Sequence, residues 1–391
     1  MKWIRFASIL KDMEETGLKR RLRTLTRPGE LLVDEKGKIR CVACGHRCLI
    51  GEGHEGICRV RFVEEGKLRV PWGYVGALNV DPIEKKPFFH VTPGARALSF
   101  GMLGCDYKCP YCQNWEISQV HRDPESDGLV DARPVEIAHL IDLARRSEST
   151  MVTSTYNEPL ITSEWAVAVF RAARVAGLMT GYVSNGNGTP EVLDYLRPWL
   201  DAFKVDLKGM REDGYRRVGG KLATVLATLE GLKARGFWVE VVTLVVPGLN
   251  DSDEELRDAA RFLAGLDRNI PWHVTAYHDD YRQEGHGSTP ARTLLRAAEI
   301  GREAGLRFVY AGNLSGRVGE WEDTRCPGCE TVLVERRGYQ VIRCRVTAVG
   351  GCPACGGSVP GIWRRPVPSS SVDVAEGLAL RSDPAAGGRS S

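Results

Sequence analysis

The amino-acid sequence predicts an α/β protein built on a parallel sheet that closes fully or partly into a (β/α) barrel, with a cysteine-rich segment on each side. Three observations carry this. From about Ala95 to Gly312, short apolar runs rich in β-branched residues alternate with longer helical patterns. Polar residues gather where the runs end: Asn157 and Glu158, Ser184 and Asn185, Asp206 and Lys208, His278 and Asp279. The 12 cysteines fall into three clusters, with none between Cys112 and Cys326.

The elements follow in order. "ALSFGML" (97–103) reads as a strand, then comes a cysteine loop, then a helix over 134–146. "TMVTSTY" (150–156) is the next strand, followed by a helix over 163–177 with Ser163 as N-cap and Gly177 at its end. "MTGYVSNG" (179–186) precedes a helix over 190–200, and "AFKVDLKG" (202–209) precedes one over 221–236. "WVEVVTLVVPG" (238–248) leads to a helix over 253–266, and "PWHVTAYH" (271–278) to one over 290–305. "LRFVYAGN" (306–313) closes the series. Nearly continuous apolar strands alternating with helices describe a parallel sheet covered by helices. In a barrel the strand carboxyl ends form the active face, so the strand-end polar groups and the cysteine loop share one mouth. An open doubly wound sheet is the competing architecture, with its active residues at a switch point. Tyr156, Trp115 and Trp272 are candidates to wall the mouth.

The domain reading is 1–94 as an N-terminal cysteine-rich region, 95–317 as the barrel, 318–365 as a ribbon and 366–391 as a disordered tail. The tail is rich in Ser, Gly and Ala, with little to bury. Across 391 residues the composition is 43% hydrophobic and 26% charged, ordinary for a globular protein. Lys+Arg number 53 against 50 Asp+Glu, so no global field points to nucleic acid or membrane. The one basic patch, "LKRRLR" (18–23), reads as a solvated helix face. Charges come too soon after Met1 for a signal peptide, and no apolar run approaches the ~20 residues that span a bilayer. The expectation is a cytoplasmic protein. In that compartment clustered cysteines argue for metal rather than disulfides.

"CPGC" (326–329) and "CPACGG" (352–357) are two knuckles that supply Cys326, Cys329, Cys352 and Cys355, a closed tetrahedral zinc cage. Cys344 lies between them as a passenger on a hairpin. Cys41, Cys44, Cys48 and Cys58 close a second four-thiolate site. It accepts zinc, the preferred reading, or an auxiliary iron–sulfur cluster. Cys105, Cys109 and Cys112, spaced C-x3-C-x2-C, stop at three. A 4Fe–4S cube on three thiolates leaves one iron without a protein ligand, open to a small molecule.

That spacing, with Tyr111 before the last cysteine, resembles the signature of radical S-adenosylmethionine (SAM) enzymes. The resemblance implies a partial (β/α)6 barrel over about 95–315. It also implies a cluster that passes one electron to SAM, giving a 5′-deoxyadenosyl radical that takes hydrogen from a substrate. By the same resemblance Glu158 and Asn157 in "YNEP" meet the methionine amino group. Ser184, Asn185, Asp206 and Lys208 address the ribose and the methionine carboxylate, and His278 lies near the cofactor. "VVPGLND" (245–251) lies against adenine. Val183 and Ser184 depart from the activating-enzyme pattern and leave glycyl-radical activation open. The N-terminal set, the "CQNWEIS" continuation and the C-terminal knuckles are similar to the AmmeMemoRadiSam-system radical enzymes. Partners implied are an electron donor such as flavodoxin or ferredoxin, and as substrates the MEMO-like and AMMECR-like proteins of that system. Two alternatives stay open: radical modification of RNA or a protein side chain with the ribbons as readers, and a non-catalytic zinc-rich scaffold.

Overall fold

In the computed structural model, residues 17–126, 129–283, 285 and 287–363 are described. The expected disordered tail lies outside them. One sheet of eight strands organises the chain: β1 (Ala77–Pro82), β2 (Arg96–Gly101), β3 (Ser149–Ser154), β4 (Met179–Ser184), β5 (Ala202–Asp206), β6 (Trp238–Val245), β7 (Trp272–Ala276) and β8 (Val309–Gly312). β2 to β8 are parallel and stand side by side in chain order, while β1 pairs antiparallel with β2. A sequential order has no switch point, which removes the doubly wound alternative. Seven parallel strands stand where the resemblance implied six, and β1 and β8 remain the sheet's two edges. β1 comes from the segment assigned to 1–94.

The helices between the strands are α1 (Ile137–Arg146), α2 (Ser163–Val175), α3 (Pro190–Leu196), α4 (Glu212–Val218), α5 (Leu222–Ala234), α6 (Asp253–Leu266) and α7 (Ala291–Glu303). Local chemistry sets their ends. Ser252 caps α6 by accepting from Glu255 N at 3.2 Å, with three acids in the first turn facing the positive end of the helix dipole. Thr189 caps α3 in the same way, with Pro190 at the first helical position. Ser163 does not cap α2: a 3-10 turn, Pro159–Thr162, runs straight into the helix, and the Ser163 hydroxyl donates to the Leu160 carbonyl. α1 starts at Ile137 rather than 134 because Arg133–Pro134 pair with Tyr74–Val75. α4 was not foreseen; two turns with Gly214 inside give too little periodicity.

Along each strand the two faces differ. Phe203, Val205, Val241, Trp272 and Val274 join the main apolar core under the helices. Their neighbours Lys204, Asp206, Val242, His273 and Thr275 face a cavity on the other side of the sheet. Trp272 is therefore a core residue, donating to Thr243 Oγ1 at 3.0 Å, and Trp115 stacks on Tyr281; neither walls the mouth. A second apolar cluster, Ile83, Phe88, Val91, Ala95, Ala97, Met151, Met179 and Ala202, plugs the amino ends of the strands. Glu240 holds that plug in place, accepting from Phe89 N, His90 N and Trp238 Nε1, and pairing with His273 Nε2 at 2.8 Å.

The N-terminal region is two small antiparallel sheets after a helix, Gly17–Thr24, that carries the basic patch. Arg21 and Arg23 of that helix pair with Asp131 and Glu64. The C-terminal region is a three-stranded antiparallel sheet, Thr324–Arg325, Val332–Arg337 and Gln340–Cys344. No helix among the described residues is long and apolar enough to cross a membrane.

A buried ion pair fastens the N-terminal region to α2. Arg61 Nη1 and Nη2 each lie 2.7 Å from Glu164, which also accepts from Glu30 N and Leu31 N. Breaking one side leaves a buried charge and three orphaned donors. Glu164→Ala is expected to cost about 3–5 kcal/mol, read from chemical unfolding. A loss under about 1 kcal/mol would mean that the pair holds nothing in place.

Candidate functional site

A cavity of about 730 Å³ opens at the carboxyl ends of the parallel strands. The loop after β2 brings Cys105, Cys109 and Cys112 to its wall, with Tyr111 beside them. β3 delivers Asn157 and Glu158, β4 Ser184 and Asn185, β5 Asp206 and Lys208, and the loop after β7 His278. Eleven residues singled out in the sequence thus line one space.

Their connections differ. Glu158 is buried, and its carboxylate accepts from Ser184 Oγ at 2.7 Å, Leu160 N at 3.1 Å and Asn185 N at 2.7 Å. Burial and the nearby Asp106 carboxylate push the Glu158 carboxyl up to about 8, against the pull of those donors. Asn157 is spent on the signature loop: its Oδ1 accepts from Met102 N and its Nδ2 donates to Gly104 O, both at 3.1 Å. It shapes the loop rather than offering free polar atoms. Asp206 lies between two lysines, in contact with Lys204 and 3.4 Å from Lys208. Burial would raise its carboxyl, but the two ammonium groups hold it below the usual range. Burial works against the Lys208 charge too, yet Asp206 lifts it well above the ordinary value. His278 is largely exposed at the rim, within 2.8 Å of Gln113 Nε2.

The thiols suit a metal centre. Burial pushes Cys109 up to about 12, so without metal it stays protonated; ligation requires the thiolate and reverses this. Ser118 Oγ stands 3.1 Å from Cys112 Sγ, and Tyr107 N donates to Cys105 Sγ at 3.4 Å. Three soft donors on the wall of a cavity of this size fit an iron–sulfur cluster with room for a ligand on it.

The C-terminal four are arranged differently. Cys326 and Cys355 sulfurs are 3.6 Å apart, Cys329 and Cys352 sulfurs 3.7 Å, and all four lie within 4.8 Å of one another. That is the spacing of four ligands on one ion. Cys344 stands outside the group and is exposed. Among the described residues neither Cys41, Cys44, Cys48 and Cys58 nor the signature three gather to that distance.

Sequence reasoning missed several residues. Asp106, inside the signature loop, is buried and accepts from Asn185 Nδ2 at 2.7 Å and Asn187 Nδ2 at 2.8 Å. At the cavity's other end Lys86 contacts Asp81 at 2.6 Å and donates to Tyr156 OH at 3.1 Å. Burial pulls Lys86 down to about 8, while Asp81, despite burial, is held to about 2 by the Lys86 hydrogen bond. Lys204 and His273 had a usable signal: two residues from Asp206 and Thr275 on the same strands, they share the inward face.

A family model described as the radical SAM superfamily matches residues 101–263. An uncharacterized protein of Methanocaldococcus jannaschii is 36% identical over 305 residues, 77% of this chain and 89% of that relative. A pyruvate formate-lyase-activating enzyme of Staphylococcus epidermidis is 26% identical over 48% of this chain and 76% of its own. Among solved structures, a radical SAM methyltransferase from Sphaerobacter thermophilus shares 13% identity over 78% of this chain and 84% of its own, at a TM-score of 0.45.

The raised Glu158 carboxyl has a consequence for stability. Its folded value of about 8 exceeds the ordinary 4.5, so the folded chain holds the proton longer than the unfolded one. Stability from this group is complete below about pH 4.5 and is lost as pH rises through about 8. In the ligand-free chain Glu158→Gln should flatten the decline in denaturation midpoint across that window. An unchanged slope would place the carboxyl at an ordinary value.

Proposed function

The chain belongs to the radical SAM superfamily, and on that premise we propose that it is a radical SAM enzyme of the AmmeMemoRadiSam type with a partial-barrel core. The observation that carries the reading is one cavity lined by Cys105, Cys109 and Cys112 together with Glu158, Ser184, Asn185, Asp206 and Lys208. When bound on the three thiolates, a 4Fe–4S cluster supplies the single electron that cleaves SAM to a 5′-deoxyadenosyl radical. The protein's own part is positioning and shielding. Glu158, fixed by Ser184 and two backbone donors, offers its remaining lone pairs to the methionine amino group. Lys208 carries a firm positive charge for the methionine carboxylate, and Asp206 accepts from ribose hydroxyls. Asn157 holds the signature loop against β3, so that the ligating thiols and the Glu158 carboxylate keep a fixed separation.

The electron comes from a low-potential carrier of flavodoxin or ferredoxin type, and the substrates are the MEMO-like and AMMECR-like proteins of the same system. Zinc is the ion for Cys326, Cys329, Cys352 and Cys355: bonds of 2.3 Å in a tetrahedron put sulfurs about 3.8 Å apart, near the 3.6 and 3.7 Å observed.

Anaerobically reconstituted protein should cleave SAM under dithionite, and Cys109→Ala should abolish this; cleavage persisting in the variant sinks the reading. Lys208→Met removes a charged hydrogen bond and should weaken SAM binding about 10- to 100-fold by calorimetry. Unaltered affinity would remove Lys208 from the cofactor.

A further inference from the structure

The cavity has two sides, and the cofactor occupies only one of them. On the reading that SAM lies against the cysteines, Glu158 and Lys208, the opposite wall is left to the substrate. That wall is made by residues 84–87, Tyr156, the inward positions of β5 and β7, and the C-terminal hairpin. Two of its lysines, Lys86 and Lys204, are each only 4% exposed. A buried ammonium is costly unless it has an anionic partner.

Partners are in short supply. Asp81 is shared by Lys86 at 2.6 Å and Lys85 at 3.0 Å. Asp206 is shared by Lys204, in direct contact, and Lys208 at 3.4 Å. Four ammonium groups thus divide two carboxylates. The other acids of this wall are engaged elsewhere: Glu84 faces Arg336 Nε at 3.6 Å, and Glu322 accepts from Gly316 N and Gly338 N. SAM would bring one further carboxylate, to Lys208, and leave the excess at Lys86 unanswered.

The excess is turned towards the cavity. Lys86 and Tyr156 line it, with Asp81 behind them. Lys86 Nζ donates to Tyr156 OH at 3.1 Å and sits 4.3 Å from the ring centroid, while the hydroxyl donates to Asp81 at 2.8 Å. Tyr156 reaches this side from a left-handed backbone, φ +73°, an outlier for so bulky a residue. Its neighbours Asn157 and Glu158 serve the cysteine side. An ammonium has three N–H bonds. Lys86 gives two of them to Asp81 and Tyr156, and Lys204 gives one to Asp206, which leaves three for a guest. Burial pulls Lys86 down to about 8, and the charges of Lys85 and Lys204 act in the same direction. The two buried lysines therefore repel each other across the space they line.

We propose that Lys86 and Lys204 form an anion subsite for the substrate, which takes a carboxylate or phosphate group on the wall opposite the cofactor. An anion between them accepts charge-assisted hydrogen bonds from both and removes their mutual repulsion. It also fixes the substrate by its charged end, so that the carbon next to be attacked lies between this wall and the cysteines.

The test uses the full chain carrying Cys105→Ala/Cys109→Ala/Cys112→Ala, because the subsite does not need the cluster. Calorimetry at low salt takes succinate and inorganic phosphate as probes and succinamide as the neutral control. One anion should bind per chain, succinamide should give no heat, and Lys86→Met and Lys204→Met should each weaken binding about 10-fold or more. Tighter succinate marks a carboxylate substrate, tighter phosphate a phosphorylated one. No binding of either anion overturns the proposal, and so does binding that Lys208→Met abolishes while the other two substitutions leave it intact. Should the lysine variants not fold, reductive methylation of the unsubstituted lysines at pH 8, read by mass spectrometry, replaces them. The bound anion should then slow labelling of Lys86 and Lys204 but not of the exposed Lys67, and equal rates with and without it overturn the proposal. Failure of the radical reading looks different: the anion binds at Lys86, yet the reconstituted wild type does not cleave SAM.

Discussion

A parallel sheet in chain order must be re-entered from the same end by every strand, so every strand-to-helix loop leaves at the opposite end. That constraint governs most of what is distinctive here. Residues far apart in sequence, from Cys105 to His278, reach one cavity because each stands at the carboxyl end of its own strand or in the loop that follows it. The amino ends, freed from this role, are closed by the plug around Ile83 and Phe88. The plug in turn depends on Glu240, whose four partners tie the 88–90 segment to β6 and β7.

A mouth crowded with buried charge must be held together by something besides apolar contact. Each acid has a distinct arrangement. Asp106 is satisfied by two asparagine amides, Glu158 by a hydroxyl and two backbone N–H groups, and Asp206 by two lysines. Only the third is neutralised by opposite charge. The first two keep hydrogen bonds without a cation; burial and the neighbouring Asp106 raise the Glu158 carboxyl, and a cationic ligand beside Glu158 would relieve it. The arrangement favours a positively charged guest at the Glu158 side and an anionic group at the Lys208 side.

Much of this could be read from the sequence, and the reason is periodicity. The seven parallel strands and the long helices announce themselves by apolar runs and caps, and α6 was located to the residue because "DSDEEL" combines an N-cap with three acids. The candidate site was legible because polar residues at strand ends are conspicuous after apolar runs. What was not legible depends on tertiary pairing. β1 is half polar and joins the sheet only by bonding to β2. Asp106 looks like any loop aspartate until Asn185 and Asn187 are brought to it from β4. Trp272 looked like a pocket residue because it begins a strand whose far end is functional, but its own register faces α7, with Gly301 making room for the indole.

The cavity itself follows from the choice of inward residues. Closed barrels of this class fill their interior with layers of branched apolar side chains. Here the inward positions of β5 to β7 carry Lys204, Asp206, Glu240, His273 and Thr275, and these satisfy one another instead of interlocking: Lys204 with Asp206, His273 with Glu240. Polar pairs of this kind cannot be compressed into a dry core without leaving donors unpaired, so the space above them stays open. The Lys86–Asp81–Tyr156 group does the same from the β1 edge, and Arg337, Gly338 and Tyr339 from the C-terminal hairpin form part of the rim. Emptying the lumen costs packing. The chain recovers it outside the sheet, where Phe170 of α2 packs ring against ring on Phe100 and Tyr182, and Tyr182 on Phe203.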